Sequence, residues 1–547
     1  MHYPLEWLNI KICQYAIFLQ LFYILRYNSK KTGYSLRYFF LLLLPYYLLS
    51  NPIKIATYNV QNLFDAQYNG TEYEEYIPGK HNWNRRMVEI KLNHTAEVIC
   101  DVDADIIGLQ EIENAQVFSQ LLRRLKKVGC GYRYSAMTKK KGAPIQVALL
   151  SRYPIKNQRD IQVSYAPKVR NILEVEVDIE GKKLTLFVNH WKSKAYKGYE
   201  SKRIKYAKAL QARIARLSPR KEYIILGDFN SDYNAYLTLD EKNNDTHGKT
   251  AFSDVLQTKI DEMDILKAQK GMHYTLWKEL PLDERWSHKF YGKKSSLDQI
   301  VLPQTMFDGK GIDYVNNSFK VYKADYLFTK RGYINAWRYK HGKHMAKGYS
   351  DHLPVYAYFD TKAYVKEHSQ KVTMQTKPIE YLYKVETLKG QVLLKDVVVI
   401  LKRGHNAIIK QSVSGRGVML FGCAGKLKEG YRYDLLVEGI KSYHGLKEVT
   451  HAYVVHAKQK VSLVKYYKTQ KMLLADTLKQ NEVIKDIKGR YTNRYLTIDG
   501  QKFPIYFKKK KLTPKNGSQL KIDYAQLGYY KKLQLVITSK KDFSILE

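Results

Sequence analysis

The sequence is poor in cysteine, with four in 547 residues and no Cys-x-x-Cys pair. That excludes a disulfide-built scaffold and leaves no cysteine spacing for a structural zinc site. Long apolar runs are also missing. The run Phe39 to Leu49 is too short to span a bilayer comfortably. With 26% charged and 45% hydrophobic residues, a polytopic membrane protein and a disordered chain are both excluded. Acidic side chains are scarce: 52 stand against 92 basic ones, for a net charge of +40. That surplus directs attention to a polyanion, nucleic acid or an acidic membrane surface. Lysine and tyrosine (47 residues) are abundant together, as biased codon usage also produces, so charge alone names no partner.

What is present begins with an N-terminal segment unlike the rest. Cys13 to Leu25 is mostly apolar, and Lys30, Lys31 and Arg37 precede the run Phe39 to Leu49. The pattern fits a signal peptide starting near residue 33, or an uncleaved envelope anchor, although Leu48 stands where cleavage wants a small residue. Either reading of residues 1–51 exports the chain to the periplasm, the cell envelope or the medium. Membrane contact is then confined to that segment if it is uncleaved.

Residues 52–360 alternate short apolar strands with helical stretches. Strands are expected at Ile53–Val60, Ile106–Gln110, Ile145–Ser151, Ile172–Val188 (broken by the Glu180-Gly181-Lys182 turn) and Tyr223–Leu226. Helices are expected at Arg85–Cys100, Asn114–Lys127 and Ser201–Ala215. This predicts a layered α/β or α+β sandwich. Asn84 before the first helix is either an N-cap or part of a loop that reaches substrate. Residues 361–381 are polar and are taken as a linker. Beyond it lie two series of five short strands, in 382–458 and 459–547, which align as a weak internal repeat and resemble the OB-fold barrel. From residue 361 onward, 37 basic residues stand against 15 acidic ones, a net of +22 in a third of the chain. Lys508-Lys509-Lys510-Lys511 follows Tyr506-Phe507 there, a combination suited to stacked bases and their phosphates.

The chemistry is concentrated where strands end. Asn59 follows the first strand, Gln110-Glu111 the second, Asn189-His190 the hairpin and Gly227-Asp228-Phe229-Asn230 the next. Asp298 opens a further strand, and Ser350-Asp351-His352 precedes the last. Any one of these alone reads as a turn or cap; six together predict one polar rim. In this order the segments resemble the endonuclease/exonuclease/phosphatase superfamily, the DNase I-like fold, from about Ile53 to Phe359. The resemblance implies a four-layer α/β sandwich with its active site at the top of two packed sheets, followed by one or two all-β OB-like barrels.

It also implies roles. Glu111 is the principal metal ligand, with Asp351 and Asn59 in the same zone, for Mg²⁺ or alternatively Mn²⁺ or Ca²⁺. Asp228 activates water and Asn230 holds the phosphate. Asp298 fixes His352, which faces the phosphoryl oxygen or the leaving side, and His190 supplies a second imidazole. Gln146 stands where many family members carry a carboxylate that partners the first histidine. Asn189, expected to steady the His190 loop, is with Lys192, Lys194 and Arg170 a candidate for substrate binding. The implied activity is a metal-dependent nuclease acting on DNA or RNA with low sequence specificity, probed first as an endonuclease leaving 5′-phosphate ends. The alternative is a sphingomyelinase-like or phosphoinositide-directed enzyme at a membrane. No protein partner is inferred. Cys100 and Cys130 are expected as buried thiols, with a disulfide open to an exported chain.

Overall fold

The computed structural model describes residues 52–546 apart from 261, 266, 291–292, 362–373 and 389. The expected signal or anchor segment and most of the expected linker lie outside the described residues. Among the described residues, no helix is long and apolar enough to cross a membrane.

Two sheets form the first half. Along the chain run β1 (Ile53–Leu63), β2 (Ile106–Ile112), β3 (Tyr134–Met137), β4 (Gln146–Ser151), β5 (Ile155–Ile161) and β6 (Ile172–Ile179). Then come β7 (Lys182–His190), β8 (Tyr223–Asp228), β9 (Tyr274–Thr275), the hairpin β10 (His288–Phe290) and β11 (Lys293–Ser295), and β12 (Asp298–Leu302). After β13 (Asp313–Tyr314), β14 (Lys320–Val321) and the small hairpin β15 (Tyr339–Lys340) and β16 (Lys343–His344), β17 (Val355–Asp360) closes the set. One sheet has the order β13-β17-β1-β2-β4-β3 with β14 also on β17, and the other has β5-β6-β7-β8-β12-β9.

Their central strands read as continuous apolar runs because both faces are covered. In β1, Ile53 and Ile55 point into the core between the sheets, while Ala56 and Tyr58 pack with α1 (Arg85–Val102) and α2 (Ala115–Lys127). In β7, Leu186 and Val188 enter the same central core, and Phe187 faces α3 (Glu200–Ala215). Helix, sheet, sheet and helix make the four expected layers. Asn84 caps α1, its side-chain oxygen accepting from Met87 N at 3.2 Å. Cys100 in α1 and Cys130 beyond α2 form a disulfide, with Cα atoms 5.7 Å apart. This corrects the expectation of free thiols: packing α1 beside α2 brings the two together.

The tail holds two closed five-stranded barrels. The first is built from β18 (Met374–Thr376), β19 (Gln391–Arg403), β20 (Asn406–Lys410), β21 (Gly417–Leu420), β22 (Tyr431–Tyr443) and β23 (Leu446–Lys460). Its order is β19-β20-β21-β23-β22, closed by β19 on β22, with β18 an added edge strand. The second uses β24 (Glu482–Thr492), β25 (Tyr495–Ile498), β26 (Gln501–Phe507), β27 (Gln519–Tyr530) and β28 (Lys532–Ile537) in the equivalent order β24-β25-β26-β28-β27, closed by β24 on β27, with β29 (Phe543–Leu546) an added strand on β27. In both, the third strand pairs parallel with the fifth. The sequence repeat is therefore a repeat of topology, and both barrels are OB-like.

The barrels are joined by buried polar contacts. Lys410 Nζ donates to both carboxylate oxygens of Glu482 at 2.8 and 3.0 Å, and the Lys410 side chain is fully buried. Removing one partner of such a pair strands the other charge in a low dielectric, at about 3 kcal/mol. Lys410→Met is therefore expected to destabilise the protein by about 3 kcal/mol in urea unfolding, and Lys410→Met with Glu482→Leu to recover most of that loss. An equal loss in the double variant would show that the pair itself is not the source. The first barrel also meets the sandwich. Glu438 accepts from Gln391 Nε2 at 2.6 Å and from Tyr233 OH at 3.3 Å, and Arg285 donates to the same Tyr233 hydroxyl at 3.1 Å.

Candidate active site

Register places the polar residues. Parallel pairing of β7 with β8 sets His190 beside Asp228, and antiparallel pairing of β12 with β8 sets Asp298 on its other side. Three neighbouring strands thus end in chemistry at one level. Gly227 permits this: its φ is +130°, and a Cβ there would lie 2.0 Å from the Asn189 carbonyl oxygen. From the facing sheet, Asn59 and Glu111 come from the paired strands β1 and β2, and His352 precedes β17. Glu111 sits at a register shift, where β2 carries an extra residue against β4, and its φ is +69°. The bulge turns Glu111 out of the ladder toward the rim, in a backbone region that a non-glycine residue occupies at a cost.

The side chains form one hydrogen-bonded cluster. Asn59 Nδ2 donates to Glu111 Oε1 at 3.0 Å and to Asp228 Oδ2 at 3.1 Å, so one amide bridges the two sheets. Its oxygen accepts from Gln61 N at 2.9 Å, and Glu111 Oε2 accepts from Asn62 N at 2.7 Å. His190 Nε2 lies 3.6 Å from both Glu111 and Asp228. His352 Nδ1 meets Asp298 Oδ2 at 2.8 Å, and its Nε2 stands 3.9 Å from Asp228 Oδ2. Ser287 donates to the same Asp298 oxygen at 2.5 Å, and Ser350 holds the approach to His352 by donating to the Asn59 carbonyl at 2.7 Å.

Electrostatics separate the two imidazoles. Burial works against charge on His352, but Asp298 and Asp228 outweigh it and hold the ring protonated well above the usual imidazole range. Burial, reinforced by Arg170, drives His190 well below that range and keeps it neutral. Its Nδ1 finds no hydrogen-bond partner among the described residues. Gln146 does not reach it, because its oxygen accepts from the Thr138 hydroxyl at 2.9 Å. Burial raises Glu111, with Asp351 adding to the effect, and pushes Asp228 up to about 7 against the pull of His352.

Several expected roles need correction. Asn230, at φ +47°, gives its amide to the Trp191 carbonyl at 3.1 Å and to Asp228 Oδ2 at 3.3 Å, so it orients Asp228 instead of offering that amide to a phosphate. Asn189 is fully buried and turned inward, donating to the Phe187 carbonyl and accepting from Trp191 Nε1; it steadies the loop and does not face substrate. Arg170 is likewise engaged, donating to the carbonyls of His190 at 3.0 Å and Trp191 at 2.8 Å. Lys194 pairs with Asp232 at 2.9 Å. Lys192 is half-buried beside Arg170, which with burial lowers its pKa. Asp351 stays at the rim, 3.9 Å from His288 Nε2.

His288 is the residue that sequence reading missed. Its ring lies 4.8 Å from that of His352, and burial and His352 together lower its pKa to about 4. The only signal was its place in Trp286-Ser287-His288, ten positions before Asp298, with no periodicity to mark it. Among the described residues, three sets of candidate ligands cluster within 4.8 Å: Glu111 with His190 and Asp228, Asp228 with Asp298 and His352, and His288 with Asp351 and His352.

Comparison with curated proteins found no match. Among solved structures, a humanized D. rerio TDP2 is 15% identical over 57% of this chain and 100% of its own, with a TM-score of 0.36. Truncated Caenorhabditis elegans TDP2 is 13% identical over 56% of this chain and 97% of its own, with a TM-score of 0.35. An AP endonuclease from Archaeoglobus fulgidus is 14% identical over 56% and 99%, also at 0.35. A family model described as the endonuclease/exonuclease/phosphatase family matches residues 54–361, more than half the chain and the whole of the two-sheet sandwich. With that match and the rim just described, the chain belongs to the endonuclease/exonuclease/phosphatase family.

Proposed function

We propose that the protein is a divalent-metal-dependent phosphodiesterase that hydrolyses DNA, and RNA in the same way, with low sequence specificity, as an endonuclease leaving 5′-phosphate ends. The observation that carries this reading is the line Asp298–His352–Asp228, which holds a protonated imidazole next to a buried carboxylate and beside Glu111.

The donor set suits a hard cation. Glu111 and Asp351 are carboxylates on one rim, Asn59 stands between Glu111 and Asp228, and burial raises both Glu111 and Asp228. A divalent cation of the Mg²⁺ type, held by Glu111 with Asp351 and Asn59 nearby, would neutralise phosphate charge and the leaving alkoxide. The chain's own groups supply the remainder. Asp228, oriented by Asn230 and Asn59, positions water and accepts its proton as the oxygen attacks phosphorus. His352 donates its Nε2 proton toward the phosphoryl oxygen, while Asp298 orients the ring through Nδ1 and stabilises its charge. The neutral His190 contributes a hydrogen bond to the phosphate. Attack breaks the bond between phosphorus and the 3′ oxygen, which takes its proton from solvent as it departs, leaving a 3′-hydroxyl and a 5′-phosphate.

We also place the enzyme outside the cytoplasm. The Cys100–Cys130 disulfide supports this, since such bonds persist in oxidising compartments.

The test is a substrate panel on the purified full chain. Supercoiled plasmid is expected to be nicked and linearised with Mg²⁺, protected by EDTA and rescued by added Mg²⁺ or Mn²⁺, with ends that accept a kinase label only after dephosphorylation. Intact DNA and RNA alongside phosphocholine release from sphingomyelin, or phosphate release from phosphoinositide vesicles, would overturn it.

A further inference from the structure

A groove of about 1340 Å³ runs between the two barrels, apart from the carboxylate rim. Lysines of the fold partly cover its lining: Lys441 Nζ lies over the rings of Phe421 and Tyr443 at 4.2 and 5.7 Å, and Lys532 Nζ over Tyr495 at 5.3 Å. Phe421 and Tyr443 of the first barrel and Tyr495, Tyr506 and Tyr530 of the second all line it while 36–56% exposed. Large aromatic side chains left in water on one concave surface mark a binding site. The rings are also organised. His444 lies 4.5 Å from Tyr443 and 4.6 Å from Tyr530, so an aromatic series crosses the seam from one barrel to the other.

The net charge of the groove is positive. Arg494, Lys508, Lys509, Lys511, Lys532 and Lys540 line it and are exposed. Its two acidic residues are already matched: Asp542 accepts from Arg403 Nε at 2.8 Å, and Glu448 pairs with Lys441 at 3.1 Å. The walls are set before any ligand arrives. The buried Lys410–Glu482 pair joins the barrels, as does Asn481, which donates to Tyr383 OH and the Lys447 carbonyl and accepts from Gln526. A pre-organised groove loses little ordering entropy on binding.

We infer that this inter-barrel groove binds a single-stranded polynucleotide, with bases stacked on the tyrosines and phosphates along the lysines. Stacking on a protein ring needs an open base face, which a duplex has already used on its own neighbours. A neutral oligosaccharide would use the rings and leave six cations without purpose. A lipid headgroup would use the cations and leave the rings exposed. The choice of polymer rests on the nucleic-acid reading of the catalytic rim; the location and the ring-and-cation chemistry do not.

The test is fluorescence anisotropy of the full chain in EDTA, with labelled oligothymidylate and oligouridylate of about 20 nucleotides as separate arms, long enough for both barrels. A duplex of equal length and phosphatidylserine vesicles serve as competitors. Tight binding of either single strand, weakened about 100-fold in Tyr506→Ala with Tyr530→Ala, is expected. Lys509→Glu with Lys511→Glu is expected to weaken binding and flatten its logarithmic salt slope by about 1.4. Both variants should hydrolyse bis(p-nitrophenyl) phosphate like the parent, which shows that they are folded. Binding unchanged in both variants, or displaced by vesicles and not by unlabelled strand, overturns the inference. A protein that binds strand without cutting any nucleic acid would sink the catalytic reading and keep the groove. One that cuts DNA while its groove variants bind normally does the reverse.

Discussion

Replacing His352 by Ala is expected to lower kcat/KM on plasmid DNA and on bis(p-nitrophenyl) phosphate by about 10³–10⁴-fold, with the fold unchanged by circular dichroism. The loss combines a general acid with a buried cation aimed at the phosphate. Both depend on Asp298, whose carboxylate meets His352 Nδ1 at 2.8 Å and is itself fixed by Ser287. The sign of the pH effect follows. His352 acts in its protonated form, and Asp298 and Asp228 raise its pKa against burial, so activity persists above the usual imidazole range and falls as pH rises through the elevated value. Asp298→Asn keeps the hydrogen-bonding shape and removes one negative charge, so the alkaline limb of kcat/KM should move to lower pH. An unmoved limb in Asp298→Asn, or near-parental activity in His352→Ala, would remove His352 from the chemistry.

Much of this site was legible because strand ends carry it. Gly227-Asp228-Phe229-Asn230 and Ser350-Asp351-His352 are short, type-specific and far apart in sequence, and an ordered sheet is what brings them to one rim. Strand positions followed from apolar runs buried on both faces, and the barrel repeat followed from its spacing. Side-chain direction was not legible. Arg170 looked like a free cation but reaches the carbonyls of His190 and Trp191, some 20 positions away. Asn230 kept its position and changed its task, because its amide closes on Asp228. His288 stayed hidden since its three-residue strand has no pattern, and its place beside His352 depends on a single isolated bridge between them. The Cys100–Cys130 bond and the contact from Glu438 to Tyr233 are products of helix and domain docking, which no local period encodes. The positive charge became informative only once the groove between the barrels gave it a lining of rings.

Glu111→Gln is the second large effect. It should cut kcat/KM by about 10³-fold, several kcal/mol at about 1.36 kcal/mol per tenfold. The backbone states why the residue is there. A glutamate at φ +69° on a bulge, half-buried so that desolvation raises its carboxyl and next to the raised Asp228, costs stability on three counts that a packing role would not require. A divalent cation offsets the two electrostatic counts, and anything that binds only the folded state stabilises it by RT ln(1 + [L]/Kd), about 2.7 kcal/mol at a hundredfold excess over Kd. Saturating Mg²⁺ should therefore raise the melting temperature of the parent protein, and EDTA should reverse it. In Glu111→Gln that thermal shift should largely disappear together with activity, whereas in His352→Ala activity should be lost and the shift kept. The two variants thus separate metal binding from proton transfer without relying on turnover alone. A Glu111→Gln protein that still gains the full Mg²⁺ shift would move the principal ligand elsewhere on the rim, and Asp351→Asn would be the next variant to measure.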